Sequence, residues 1–332
     1  MNKEPTTLFI IGNGFDLYHG VKSSYYEFRD FLKKRNKYIN DDLEMYFECE
    51  NFWGDFENNL AFLSREMLME SVDANLDIMM DTFDEEDDDF SYADYFAAIE
   101  YGTQIISDIT DNLPYRFKQW IKTLKTLNGK EESCAEILNK DALYINFNYT
   151  EFLETLYSIA SENILYIHGD RRERNNQIIL GSGSDTDQNF VDWYRQHKTG
   201  IHRSDSLTYL HYFQSEDDQG NWKNPIRYYA ADHAAGTIEG YFDDTRKKTE
   251  EVMAKHAKYF RRLKNVREIY VIGHSLAPVD HPYFKEIIRN HVASDQLKWN
   301  VSWYSEADKE RINKFAEMMS IPKHNIKMFQ LK

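Results

Sequence analysis

The sequence is short of cysteine, of net positive charge and of long apolar runs. Cys49 and Cys134 are the only cysteines in 332 residues, which excludes a disulfide framework and a four-cysteine zinc site. No apolar run approaches the roughly 20 residues needed to span a bilayer. Met1-Asn2-Lys3-Glu4-Pro5 also lacks the apolar segment of a signal peptide. The cytosol is the expected compartment, with no membrane partner. Lys and Arg total 40 against 56 Asp and Glu, a formal net charge of -16. Broad, sequence-independent binding to nucleic acid needs clustered cations and is disfavoured by that balance. Internal repeats, low-complexity linkers and coiled-coil heptads are lacking too.

What is there describes a folded domain of substantial size. Hydrophobic residues make up 42% and aromatics 15%, and the mean hydropathy is -0.70. Strand-like runs occur at Leu8–Ile11, Leu143–Asn146, Leu165–His168, Ile178–Leu180, Ile269–Ile272 and Trp299–Trp303, with a weaker one at Ile326–Phe329. Helical patterns separate them, so the expected class is α/β with a mostly parallel sheet. From about Ser23 to Lys140 the reading changes. Tyr25–Lys34, Phe52–Met80 and Tyr92–Leu127 are amphipathic with almost no strand signal. The expected organisation is a sheet-bearing core from 1–22 and 141–332, with 23–140 as a helical insertion or cap between the first two strands.

Several local features read as solvated surface. They are the acidic run Asp84-Glu85-Glu86-Asp87-Asp88-Asp89 and the basic runs Arg171-Arg172-Glu173-Arg174 and Arg246-Lys247-Lys248. The stretch from Asp185 to Tyr241 holds His197, His202, His211 and His233, whose spacing fits no zinc-ligand pattern, and no metal is expected.

Four segments share one design, in which a strand ends and glycine or polar residues follow at once. They are Gly12-Asn13-Gly14-Phe15-Asp16, Asn146-Phe147-Asn148-Tyr149-Thr150, His168-Gly169-Asp170 and Gly273-His274-Ser275-Leu276-Ala277-Pro278-Val279-Asp280. In an open parallel sheet the ligand crevice lies beyond the carboxyl ends of the strands, and all four would reach that edge. Two glycines after a strand let backbone approach a ligand closely, which suggests a phosphate site. Structural alternatives stand beside each reading. Asn146 and Asn148 are able to bracket a turn, Thr150 to cap the next helix, Asp16 to cap the first, and Asp280 to cap a helix starting near His281. A His-Gly at a strand end, as in His168-Gly169, is expected to face the crevice.

Two lookalikes are set aside. Leu17 stands where the dehydrogenase fingerprint has its third glycine, and the region about 20 residues on reads as helix. Gly273-His274-Ser275-Leu276-Ala277 approximates a nucleophile elbow, but Pro278, Asp280 and Pro282 delay the following helix.

Together, Gly12-Asn13-Gly14-Phe15-Asp16-Leu17-Tyr18-His19-Gly20, Ser24-Tyr25-Tyr26-Glu27-Phe28, Asn146–Thr150, Ile167-His168-Gly169 and Gly273–Leu276 with Asp280 resemble the AbiH family of bacterial abortive-infection proteins. The same order of motifs is remotely similar to SIR2-type domains, which implies a Rossmann-like core around NAD. On that resemblance Gly12 and Gly14 face the cofactor phosphates, and Asn148 sits by the ribose that bears nicotinamide. His168 is the catalytic base, Asn148 is the second catalytic residue, and Gly273 with Ser275 holds the adenosine half. The implied cofactor-binding set also includes Asn13, Phe15, Asp16, Thr150 and Asp280. The pattern departs at Thr150, where SIR2-type enzymes usually carry Asp, and at Asp16, where they usually carry Ser. With two cysteines there is no zinc ribbon, which argues against deacetylation. The implied function is antiphage defence through binding and hydrolysing NAD to nicotinamide and an ADP-ribose product. The competing expectations are a non-catalytic nucleotide-binding regulator or phage sensor and, less well supported, a nuclease. The expected partners are a nucleotide, with a phage-derived trigger or a second copy of the chain.

Overall fold

A computed structural model describes residues 4–82, 92–172, 178–182, 225–291 and 296–331. The strands are β1 (Thr7–Ile11), β2 (Leu143–Asn146), β3 (Ile164–Tyr166), β4 (Glu268–Ile272), β5 (Lys298–Ser302) and β6 (Ile326–Phe329). Among the described residues the helices of six residues or more are α1 (Asn13–Tyr18), α2 (Tyr25–Arg35), α3 (Lys37–Met45), α4 (Arg65–Thr82), α5 (Tyr92–Gly102) and α6 (Leu113–Ile121). They continue with α7 (Glu132–Ile137), α8 (Phe152–Tyr157), α9 (Pro225–Thr245), α10 (Thr249–Lys255), α11 (His281–Arg289) and α12 (Glu306–Met318).

All six strands pair in parallel in the order β3-β2-β1-β4-β5-β6. The chain therefore builds outward from β1 in one direction, then returns to its other side at β4. Side chains alternate across β1 with the period of two that strand geometry requires. Leu8 and Ile10 join Leu143, Ile145, Ile269, Val271, Trp299 and Val301 in one apolar cluster with Phe284 of α11 and Phe315 of α12. On the other face Phe9 is stacked between its register partners Tyr144 and Tyr270, with ring centroids 4.9 Å and 5.0 Å away. Burial on both faces explains why β1 reads as an unbroken apolar run.

Two compact units divide the chain. The first comprises Met1–Phe28, Phe117–Leu180 and Lys247–Lys332 and contains the whole sheet. Within it α11 buries His281, Tyr283, Phe284 and Ile287, spaced to fall on one helical face. A reciprocal capping box between Ser305 and Asp308 starts α12. The second unit comprises Arg29–Arg116 and Gly181–Arg246. There α4, α5 and α9 pack together, and the Tyr241 hydroxyl donates to the Leu60 carbonyl at 2.6 Å. Among the described residues no helix is long and apolar enough to cross a membrane.

The structure departs from the sequence reading in places. Ile178–Leu180 is irregular rather than a strand, because the Ile179 N–H donates to the His168 carbonyl and its own carbonyl accepts from the Tyr149 hydroxyl. β3 ends at Tyr166, which leaves His168 two residues beyond it. Phe52–Met80 is not one helical stretch. Short turns at Phe52–Asp55, Phe56–Asn59 and Leu60–Phe62 precede α4, where Trp53 stacks on Phe56 and the Ser64 hydroxyl accepts the Met67 N–H. The acidic run at 84–89, His197, His202 and His211 lie outside the described residues.

Candidate functional site

The strand order reverses between β1 and β4, and the turns that leave these two strands are in direct backbone contact. The Gly12 N–H donates to the Ile272 carbonyl at 3.0 Å and the Gly14 N–H to the Gly273 carbonyl at 2.7 Å. A Cβ on Gly12 would lie 2.5 Å from the Cα of His274, and one on Gly273 would lie 2.2 Å from the Phe15 nitrogen. Gly273 also has a φ of +63°, which side chains disfavour. The glycines thus let one turn cross the other. Gly12 and Gly14 direct both their N–H groups and their Cα faces at the β4 turn.

Beneath this crossing lies a closed polar cluster. Asp16, in the first turn of α1, is buried, and its two carboxylate oxygens accept from the Asn148 amide at 2.9 Å and the Thr150 hydroxyl at 2.7 Å. Asn148 also donates to the Gly12 carbonyl at 3.1 Å, while its N–H donates to the Asn146 side chain. Burial pushes the Asp16 carboxyl up to about 7 against the opposing pull of the Thr150 and Asn148 hydrogen bonds. Neither capping expectation is met. Gly12 stands at the N-cap of α1 and Glu151 at that of α8, so Asp16 and Thr150 are free to bond each other across the β1 and β2 turns. Asn146 does bracket its turn, since its amide donates to the Thr150 carbonyl.

A second cluster has a different character. His168, expected to face an open crevice, is only 3% exposed. Phe147 stands edge-on to it at 5.2 Å, and the Tyr283 ring lies at 5.8 Å. Asp280 reaches into the same place. It precedes α11 but makes no capping hydrogen bond. Its Oδ1 lies 3.6 Å from Lys247 Nζ and 3.7 Å from His168 Nε2, and its Oδ2 lies 3.4 Å from His274 Nε2. The buried ammonium of Lys247 draws the carboxylate inward, away from the N–H groups of α11. His274 is fixed by the Leu276 N–H, which donates to its Nδ1 at 2.9 Å, so a neutral ring carries its proton at Nε2, toward Asp280. Leu276 itself has a φ of +57°, an uncommon conformation for leucine, with its carbonyl held by His281.

The electrostatics follow from burial and neighbours. Burial and then Lys247 hold His168 well below the usual histidine range, outweighing the pull of Asp280. Burial alone would raise Asp280, but Lys247 and the contact with His274 keep its carboxyl below the usual range. At neutral pH the Asp280 carboxyl is therefore ionised and His168 is neutral. His168 Nε2 and Asp280 Oδ1 are both buried without a hydrogen-bond partner among the described residues. Such orphaned atoms are rare in folded proteins and call for a reason.

The remaining candidates are elsewhere. Asn13 is exposed, with its amide on the Ser23 carbonyl. Phe15 is buried against His19 and Tyr157, and Ser275 is exposed. The basic runs are not simple surface either. Arg171 pairs with Glu151, and Arg172 pairs with Asp170 and Glu154. Lys247, flanked by exposed Arg246 and Lys248, is buried. Its role was hidden in the sequence because one lysine in a basic run carries no mark of burial. Among the described residues no group of three or more His, Cys, Asp and Glu side chains is arranged to hold a metal ion.

The chain matches the family described as bacteriophage abortive infection AbiH over residues 8–303. No curated protein and no solved structure matches it. The match runs from β1 to just past β5 and takes in every strand-end segment described above. The chain therefore belongs to the AbiH family of bacteriophage abortive-infection proteins.

Proposed function

We propose that the chain acts in abortive infection by binding NAD at the carboxyl edge of its sheet and hydrolysing the nicotinamide–ribose bond. The observation that carries this reading is the His168–Asp280 pair, whose buried Nε2 and Oδ1 atoms lack hydrogen-bond partners among the described residues and face each other beyond β3 and β4. A neutral imidazole beside a carboxylate is suited to accept a proton in a transition state. The reversal of strand order between β1 and β4 supports a nucleotide there, because ligands of open parallel sheets lie at such switch points.

The chemistry is a substitution at the ribose carbon. The carbon–nitrogen bond breaks and nicotinamide leaves with the electron pair. Water supplies the new carbon–oxygen bond, and its proton passes to His168. The products are nicotinamide, ADP-ribose and a proton, so no further reactant is required. In this reading Asn148 does not donate to the ribose, since its amide is committed to Gly12 and Asp16. It fixes the turn beside which the ribose lies. Gly12 and Gly14 likewise shape the floor of the site by their contact with Gly273 and His274.

Incubating the purified chain with NAD and following nicotinamide by chromatography tests the reading. Release by the wild type and its loss in His168→Ala are expected. Thermal stabilisation by NAD with no product would leave a binding protein in place of an enzyme.

A further inference from the structure

We propose that Asp280 is the positioning residue for His168, and that its carboxylate, braced by Lys247 and His274, holds the imidazole with its proton on Nε2 and leaves Nδ1 as the proton acceptor. The inference rests on the hydrolytic reading for its consequence in catalysis, but the tautomer it specifies is a property of the ligand-free protein.

The geometry comes first. A carboxylate oxygen is able to accept a hydrogen bond but not to donate one, so the ring nitrogen that faces it is the one that carries hydrogen. His168 Nε2 faces Asp280 Oδ1 at 3.7 Å, and both atoms lack any other hydrogen-bond partner among the described residues. The separation exceeds a hydrogen bond, and a shift of about an ångström closes it. Catalytic hydrogen bonds are often long before substrate binds and tighten in the complex.

The bracing is specific. Lys247 Nζ at 3.6 Å shares Oδ1 with His168, while His274 Nε2 at 3.4 Å takes Oδ2. The two imidazoles thus approach opposite oxygens of one carboxylate. Phe147 stands edge-on to both rings, 5.2 Å from His168 and 4.4 Å from His274, and fixes their separation. The groups facing His168 are Asp280, Lys247 and His274, with the rings of Phe147, Tyr149 and Tyr283 around it. Lys247 supplies the feature that a simple histidine–carboxylate pair lacks. It neutralises Asp280 at rest, so the imidazole remains a base. When a proton is transferred to Nδ1, the imidazolium forms beside a carboxylate already in place.

The test uses the full chain without ligand. Long-range proton–nitrogen NMR distinguishes the protonated ring nitrogen of a histidine from the bare one, and His168→Gln assigns the signals. The wild type is expected to show His168 protonated at Nε2. Asp280→Asn is expected to lose that single tautomer. Because it removes a carboxylate beside a buried ammonium, the double variant Asp280→Asn with Lys247→Met removes both groups and serves as the second measurement. Lys247→Met alone is expected to raise the pH at which His168 titrates, since the ammonium adds to burial in opposing protonation. With NAD, Asp280→Asn is expected to lower kcat about a hundredfold or more while KM changes only a few-fold. A wild type protonated at Nδ1, or the same Nε2–H signal in both Asp280 variants, overturns the proposal. Absence of NAD turnover in the wild type overturns the hydrolytic reading alone, and the tautomer result still decides this one.

Discussion

The two polar clusters at the carboxyl edge differ in how their hydrogen bonds close. Around Asp16 both carboxylate oxygens are taken, by Asn148 and Thr150, and Asn148 spends its second amide hydrogen on Gly12. Around Asp280 the contacts are longer, between 3.4 and 3.7 Å, and two atoms have no hydrogen-bond partner among the described residues. A saturated buried network rigidifies a fold, whereas an unsaturated one costs stability and persists where something else requires it. The first cluster ties the β1 and β2 turns together. The second, in the proposed reading, holds the base for hydrolysis.

The largest expected effect comes from breaking the second cluster. Asp280→Ala removes the carboxylate 3.6 Å from the buried Lys247 ammonium and is expected to destabilise by about 3–5 kcal/mol, measured by urea unfolding. An unfolding midpoint equal to that of the wild type would remove the buried ion pair from the account.

The clusters should also respond to pH in opposite directions. The raised Asp16 carboxyl binds its proton more tightly folded than unfolded. Stability from this group is therefore present below about pH 4 and is lost as pH rises through about 7, by up to roughly 1.4 kcal/mol per unit. Asp16→Asn should flatten that slope, so its stability relative to the wild type rises over this window. His168 has the reverse sign, because its pKa is lowered on folding. Its contribution is complete above about pH 6.5 and is lost as pH falls below that value. His168→Gln should gain on the wild type in acid, and unfolding curves at stepped pH separate the two. Slopes unchanged in both variants would refute the assigned charge states. The smallest effect is expected for Thr150→Val, which deletes one hydrogen bond to Asp16 at a cost of about 1 kcal/mol.

Much of the sheet was legible because its signal is local. The apolar runs of β1 and β2 are buried on both faces, and those of β4 and β5 chiefly on one, and burial is written in composition. The convergence of the strand-end segments followed from topology. What sequence could not carry was the direction in which polar side chains turn. Asp280 precedes a helix and fits a cap, yet an ammonium from thirty-three positions earlier turns it inward. Gly12 and Gly14 matched a ligand-facing turn, but the backbone they approach is that of Gly273 and His274. His168-Gly169 suggested exposure, and the rings of Phe147 and Tyr283 bury it. Each of these depends on a partner distant in the chain, so no window of sequence contains the answer.

The most direct measurement is the rate of nicotinamide release from NAD by the wild type and by His168→Ala, with thermal unfolding of both as a check on folding. The account predicts release by the wild type and a loss of about a hundredfold to ten-thousandfold in the variant, with both proteins folded. Equal rates in the two folded proteins would contradict it.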